Sequence, residues 1–218
     1  MRTTAVLPIK RFGAAKSRLS QTLSPAARAD LAEAMLTDVL AGLSRAERIE
    51  RVIVVSGEPR AASVASEADV ELIDDRDDDG HSEAALLGVG AALAAGAECA
   101  ALLPGDCPLL DPRELDAALA EVAPGTASVI PDRHGSGTNG LLLAPPDAMT
   151  PSFGPGSRER HLELARAAGV VGRLVEIPSL GLDLDTPDDL IDLTRVAAEN
   201  PHRAPATARA LEELGLRR

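Results

Sequence analysis

The chain has 218 residues, of which 26% are charged, with a formal net charge of −12, two Phe and neither Trp nor Tyr. That balance argues against a phosphate backbone as partner and leaves no platform on which single-stranded bases could stack, so nucleic acid is not expected, although a nucleotide substrate stays open. There is no charged-then-apolar leader and no apolar run of about eighteen residues, so the expectation is a cytoplasmic protein without a membrane span, its two cysteines reduced.

In chain order, Thr3–Pro8 predicts a first strand. The loop behind it carries four cations, Lys10, Arg11, Lys16 and Arg18, in an otherwise acidic chain. Ser24-Pro25 opens an amphipathic helix over residues 26–43, with Leu31, Met35, Val39 and Leu43 at helical spacing. Arg51–Ser56 predicts a second buried strand, Pro59–Glu67 a short helix, and residues 70–73 a third strand that ends in the acidic run 74–80. Ser82 is expected to cap a helix through residue 95. Residues 99–103 then form a fourth strand, stopped by Pro104-Gly105, with Asp106 in the turn. Asp111 as N-cap and Pro112 at the first helical position start the next helix. Strands at 127–131 and 140–144 flank a loop at 132–139, and Ser157 begins a helix to 168. Short strands are expected at 173–177 and 182–184, followed by a helix that starts at Thr186-Pro187-Asp188-Asp189. The alternation predicts one α/β domain over residues 1–200, with a mainly parallel, doubly wound sheet, and a tail over 201–218 with a helix near 206–214.

In such a sheet ligands bind beyond the carboxyl ends of the strands. Asp106 sits there, where it could hold Mg²⁺ or could merely cap its own turn. Asp183 and Asp185 alternate along a predicted strand and so share one side, which suits a metal shared with Asp106. The plainer reading has Asp185 assisting the Thr186 cap and Asp183 in solvent. Lys10, Lys16 and Arg18 could neutralise a triphosphate, although their loop matches neither the P-loop nor G-x-G-x-x-G and a solvated basic turn is the alternative. Two loops, Gly135-Ser-Gly-Thr138 and Phe153-Gly-Pro-Gly-Ser157, offer hydroxyls, and the helix start at Ser157 adds backbone N–H groups suited to an anion. Asp75-x-Asp77-x-Asp79-Gly80 copies half an EF-hand loop, but Leu86 stands where a bidentate Glu is needed. Cys107 is not read as a nucleophile, because the neighbouring Asp106 disfavours a thiolate. His81, His134, His161 and His202 lack metal spacing and are read as structural or surface residues, His134 being the one inside a candidate binding loop.

Taken together, Leu7-Pro8-Ile9-Lys10 with Ala15-Lys16-Ser17-Arg18-Leu19, then Leu103-Pro-Gly-Asp106-Cys-Pro108, Gly135-Ser-Gly-Thr138-Asn139, Phe153-Gly154-Pro-Gly-Ser157 and Asp183-Leu-Asp185-Thr-Pro187 resemble the guanylyltransferases of coenzyme F420 biosynthesis. The likeness runs from about residue 3 to about residue 198 and implies a Rossmann-like nucleotidyltransferase fold. It implies Asp106 and Asp183 as Mg²⁺ ligands with Asp185 in support, and Thr138, Gly154 and Ser157 holding a phosphorylated three-carbon acid. It also implies Lys10, Lys16 and Arg18 facing the GTP phosphates. One departure is His81-Ser82, where the family often has Leu-Asn before the helix.

The expected reaction is attack of the acceptor's phosphate oxygen on the α-phosphorus of GTP with loss of pyrophosphate, with Lys16 stabilising charge on the leaving side. The acceptor could be phosphoenolpyruvate, 2-phospho-L-lactate or 3-phosphoglycerate; an Ala- and Arg-rich composition of high-GC bacterial type leans to the first. The alternatives are a molybdenum-cofactor-type nucleotidyltransferase, whose usual glycine-rich Arg-Met-Gly element is missing, and a non-catalytic nucleotide-binding module. Oligomeric state is open, a homodimer being one option.

Overall fold

The computed structural model describes residues 1–13 and 17–216. Seven strands are present among them: β1 (Thr3–Pro8), β2 (Arg51–Ser56), β3 (Glu71–Asp74), β4 (Cys99–Leu102), β5 (Thr126–Pro131), β6 (Thr138–Ala144) and β7 (Val171–Leu174). They form one sheet in the order β3-β2-β1-β4-β6-β5-β7. β6 runs against both of its neighbours, and every other pairing is parallel. The exception follows from chain length. Six residues separate β5 from β6, enough for a hairpin and too few for the crossover a parallel pair requires.

Helices cover both faces of the sheet. They are α1 (Pro25–Leu43), α2 (Pro59–Glu67), α3 (His81–Ala94), α4 (Pro112–Ala120), α5 (Ser157–Ala167), α6 (Pro187–Glu199) and α7 (Pro205–Glu213). Side chains of β1 alternate between two cores. Ala5 and Leu7 pack with Leu31 and Met35 of α1, Leu115 of α4, Leu190 of α6 and Leu211 of α7, whereas Val6 packs with Ala84 and Val89 of α3. A strand buried on both sides has no solvent face, and Thr3 and Thr4 are buried along with the apolar residues that follow them. Gly88 lets α3 approach β1 closely, since a Cβ there would lie 2.1 Å from Val6 Cγ1.

α7 starts at Ala204 without a side-chain cap of its own. Asp38 of α1 supplies one, its two carboxylate oxygens accepting from the N–H groups of Ala206 (3.1 Å) and Thr207 (2.7 Å). Burial raises the pKa of Asp38 and outweighs these bonds. None of the helices among the described residues is long and apolar enough to cross a membrane.

Three expectations change. Residues 182–184 join no strand; the sheet edge is taken by β7, which starts and ends earlier than the predicted strand at 173–177. Ser82 lies inside α3, not at its cap: Gly80 is the N-cap, at a φ of 145° that side chains rarely adopt. The Ser82 hydroxyl instead accepts from Phe153 N–H at 3.0 Å.

Candidate active site

A cleft of about 840 Å³ opens over the carboxyl ends of β1 and β4. Because β6 is antiparallel, its first residues lie at that same edge, so the β5–β6 loop, Thr138 and Asn139 meet the turn that carries Asp106. The cleft is lined by Lys10, Arg18, Asp106, Thr138, Gly154, Ser157, Asp183 and Asp185, bringing together eight candidates from five separate stretches. Lys16 lies outside the described residues.

The acidic wall is built by long-range bonds. Asn139 Nδ2 donates to Asp183 Oδ1 (3.0 Å) and to Leu180 O (2.8 Å), and Cys107 Sγ donates to the same carbonyl at 3.5 Å. These bonds hold residues 180–183 across the sheet edge without strand pairing. Cys107 is thus a buried structural thiol. Burial, followed by the charge of Asp106, raises the pKa of Asp183; the Asn139 bond opposes this and Asp185 adds to it. Asp183 is half-buried and Asp185 exposed, yet both line the cleft. Beyond them, Thr186 caps α6 in a capping box with Asp189. Arg133 reaches from the β5–β6 loop to Asp189 (3.0 Å) and Asp192 (2.9 Å), tying that loop to α6.

The opposite end is the start of α5. Gly156 is its N-cap in the left-handed region, with no side-chain cap bond, and the Ser157 side chain is buried. Gly154 has φ 115°, a conformation side chains rarely adopt, and its carbonyl accepts from Ser157 N–H at 3.0 Å. Arg160 holds this loop from beneath, donating to Ser152 O and Oγ, Pro155 O and Phe153 O at 2.9–3.2 Å. His161, fully buried, bonds to Thr138 Oγ1 through Nδ1 (3.0 Å) and accepts from Ser152 N–H at Nε2 (2.9 Å). Phe153 packs edge-on between His81 (4.7 Å between centroids) and His161 (5.2 Å).

A family model described as guanylyl transferase CofC like matches residues 3–201. The chain belongs to this family. A phosphoenolpyruvate guanylyltransferase of Conexibacter woesei is 45% identical, covering 98% of this chain and 97% of that protein. One from Sphaerobacter thermophilus is 37% identical over 88% and 93% of the two chains. A solved nucleotidyl transferase from Methanothermobacter shares the fold, with a TM-score of 0.67 at 19% identity over 91% of this chain and 99% of that one. This guanylyl transferase is therefore a single-domain nucleotidyltransferase, as its motifs imply.

The sequence assigns no role to Arg160 or to the Asn139–Asp183 bond, and it gives His161 only as a structural or surface residue; the structure shows it buried. His161 was visible as the residue four after Ser157, one turn along the same helix face, but nothing local shows that its partners are Ser152 and Thr138.

Proposed function

We propose that this guanylyl transferase moves GMP from GTP to the phosphate of phosphoenolpyruvate, in the biosynthesis of coenzyme F420. The observation that carries the reading is the arrangement of one cleft: an acidic pair at the sheet edge, cations on the first loop, and an anion seat at a helix start. The name shared by the relatives at 45% and 37% identity favours phosphoenolpyruvate over 2-phospho-L-lactate.

Asp106 and Asp183 would hold Mg²⁺. The fit is chemical: both offer hard carboxylate oxygens, and the charge of Asp106 disfavours that of Asp183, a repulsion a divalent cation relieves. Among the described residues no three Asp, Glu, His or Cys side chains form a metal cluster, so water and phosphate oxygens would complete the shell, as is usual for this ion. When bound, the cation supplies charge neutralisation at the transferring phosphate. Thr138, Gly154 and Ser157 orient the acceptor so that its phosphate oxygen lies in line with the α-phosphorus. A new O–P bond forms there as the bond to the β-phosphate oxygen breaks, and pyrophosphate leaves. Lys10, Arg18 and Lys16 offset the charge of the triphosphate and of the leaving group. No side-chain base is needed, because the attacking oxygen is already anionic. Two free, buried cysteines are in keeping with a cytoplasmic setting.

The test is pyrophosphate release from GTP and Mg²⁺ with phosphoenolpyruvate, 2-phospho-L-lactate and 3-phosphoglycerate in turn. Release with phosphoenolpyruvate alone supports the reading; release with another acid corrects the substrate; release with none overturns it.

A further inference from the structure

Behind the anion seat a buried chain of hydrogen bonds has a defined direction. A backbone N–H can only donate, so Ser152 N–H requires a lone pair on His161 Nε2. A neutral imidazole then carries its proton on Nδ1, and Nδ1–H donates to Thr138 Oγ1, 3.0 Å away. Burial, with the nearby Arg160 charge second, pushes the His161 pKa down to about 4, so the ring is neutral at ordinary pH. The Thr138 hydroxyl has one hydrogen. With an oxygen lone pair taken by His161 and no acceptor for that hydrogen among the described residues, it can point into the cleft that Thr138 lines.

We propose that His161 is a positioning residue that sets the Thr138 hydroxyl as a donor toward the phosphate of the acceptor acid, and that it ties Thr138 to the Ser152 end of the loop carrying Gly154 and Ser157. This rests on the reading of that end of the cleft as the acid seat. His161 does not line the cleft and touches no reacting atom. Its neighbours fit the role: Arg160 fixes the same loop, and Phe153 packs on the ring. If the ring carried its proton on Nε2, Nδ1 would instead accept from Thr138 and the hydroxyl would turn away from the substrate.

Two substitutions separate the two ring nitrogens. The amide nitrogen of His161→Asn falls near Nδ1 and can still donate to Thr138; His161→Gln reaches the Nε2 position and can accept from Ser152 N–H but offers Thr138 nothing. Both are expected to lower the melting temperature. The expected split is in kinetics. H161N keeps the KM for phosphoenolpyruvate within about threefold of the parent, whereas H161Q and Thr138→Val each raise it about tenfold, all with the KM for GTP within about twofold. The double variant T138V/H161Q is expected to be no worse than T138V alone. Nitrogen-15 NMR of the parent should show a neutral His161 protonated on Nδ1. Equal losses in H161N and H161Q, additive effects with T138V, matching losses for both substrates, or a proton on Nε2 would each overturn the proposal. If the parent protein releases no pyrophosphate with any acid, the acid seat itself fails and the proposal falls with it. If the parent turns over and the variant pattern is absent, only the role of His161 falls.

Discussion

The two ends of the cleft are built differently. At the β1 end, Lys10 and Arg18 are exposed cations that line the cleft. At the α5 end, Arg160 alone makes five hydrogen bonds to one short loop, and His161 is fully buried between two walls. The difference matches the tasks. Neutralising a triphosphate needs charge at moderate range, which long side chains in solvent can supply. Choosing one small acid needs donors fixed to a fraction of an ångström, because such acids differ by few atoms.

The largest effect should come from the acids between those ends. Asp106→Ala should cut kcat by about 10²–10³-fold or more, with an unchanged circular dichroism spectrum. Asp183→Asn should be as damaging to turnover, yet equal to or above the parent in melting temperature, because it removes the repulsion with Asp106 while keeping an acceptor for Asn139. A large stability loss in D183N would contradict that account.

Next comes the rigid end. Arg160→Ala should lower kcat/KM for the acid by roughly 10- to 100-fold and leave GTP binding by calorimetry unchanged. Arg160→Lys should not rescue it, since an ammonium lacks the planar fork that reaches four acceptors. Equal losses for both substrates would erase the contrast between the ends.

The exposed end should respond more weakly. Lys10→Ala and Arg18→Ala should each raise the KM for GTP by roughly three- to tenfold at low salt, with the effect shrinking at about 0.5 M salt. A salt-independent loss would mean that these cations are held as rigidly as Arg160.

The smallest effect is on pH-dependent stability. The folded pKa of His161, about 4, lies below its ordinary value of 6.5, so the unfolded chain binds the proton first. Its stabilising share is full above about pH 6.5 and is lost as pH falls toward 4, a change on the order of 2–3 kcal/mol. Denaturant melts at pH 7 and pH 5 should show a steeper loss in the parent than in H161Q.

Much of this was legible locally. The Asp111 and Thr186 caps, the Pro104-Gly105 turn and the apolar run at residues 99–103 follow from rules that act within a few residues. Where those rules failed, a distant partner was involved. Ser82 reads as a cap, yet its hydroxyl serves Phe153, 71 positions away, while Gly80 does the capping. Residues 182–184 read as a strand, but the available edge of β5 is filled by β7.

The sequence by itself determined the α/β class, the placement of Asp106 past a strand end and the family motifs, because propensity, capping and hydrophobic period depend on near neighbours. Only the tertiary structure decided that Asn139 braces Asp183 from 44 residues away, that Asp38 caps a helix 169 residues later, and that a histidine without metal spacing faces Thr138. Those contacts exist because the fold removes water from both partners at once, and a buried polar group must then be satisfied by whatever donor or acceptor the packing brings near.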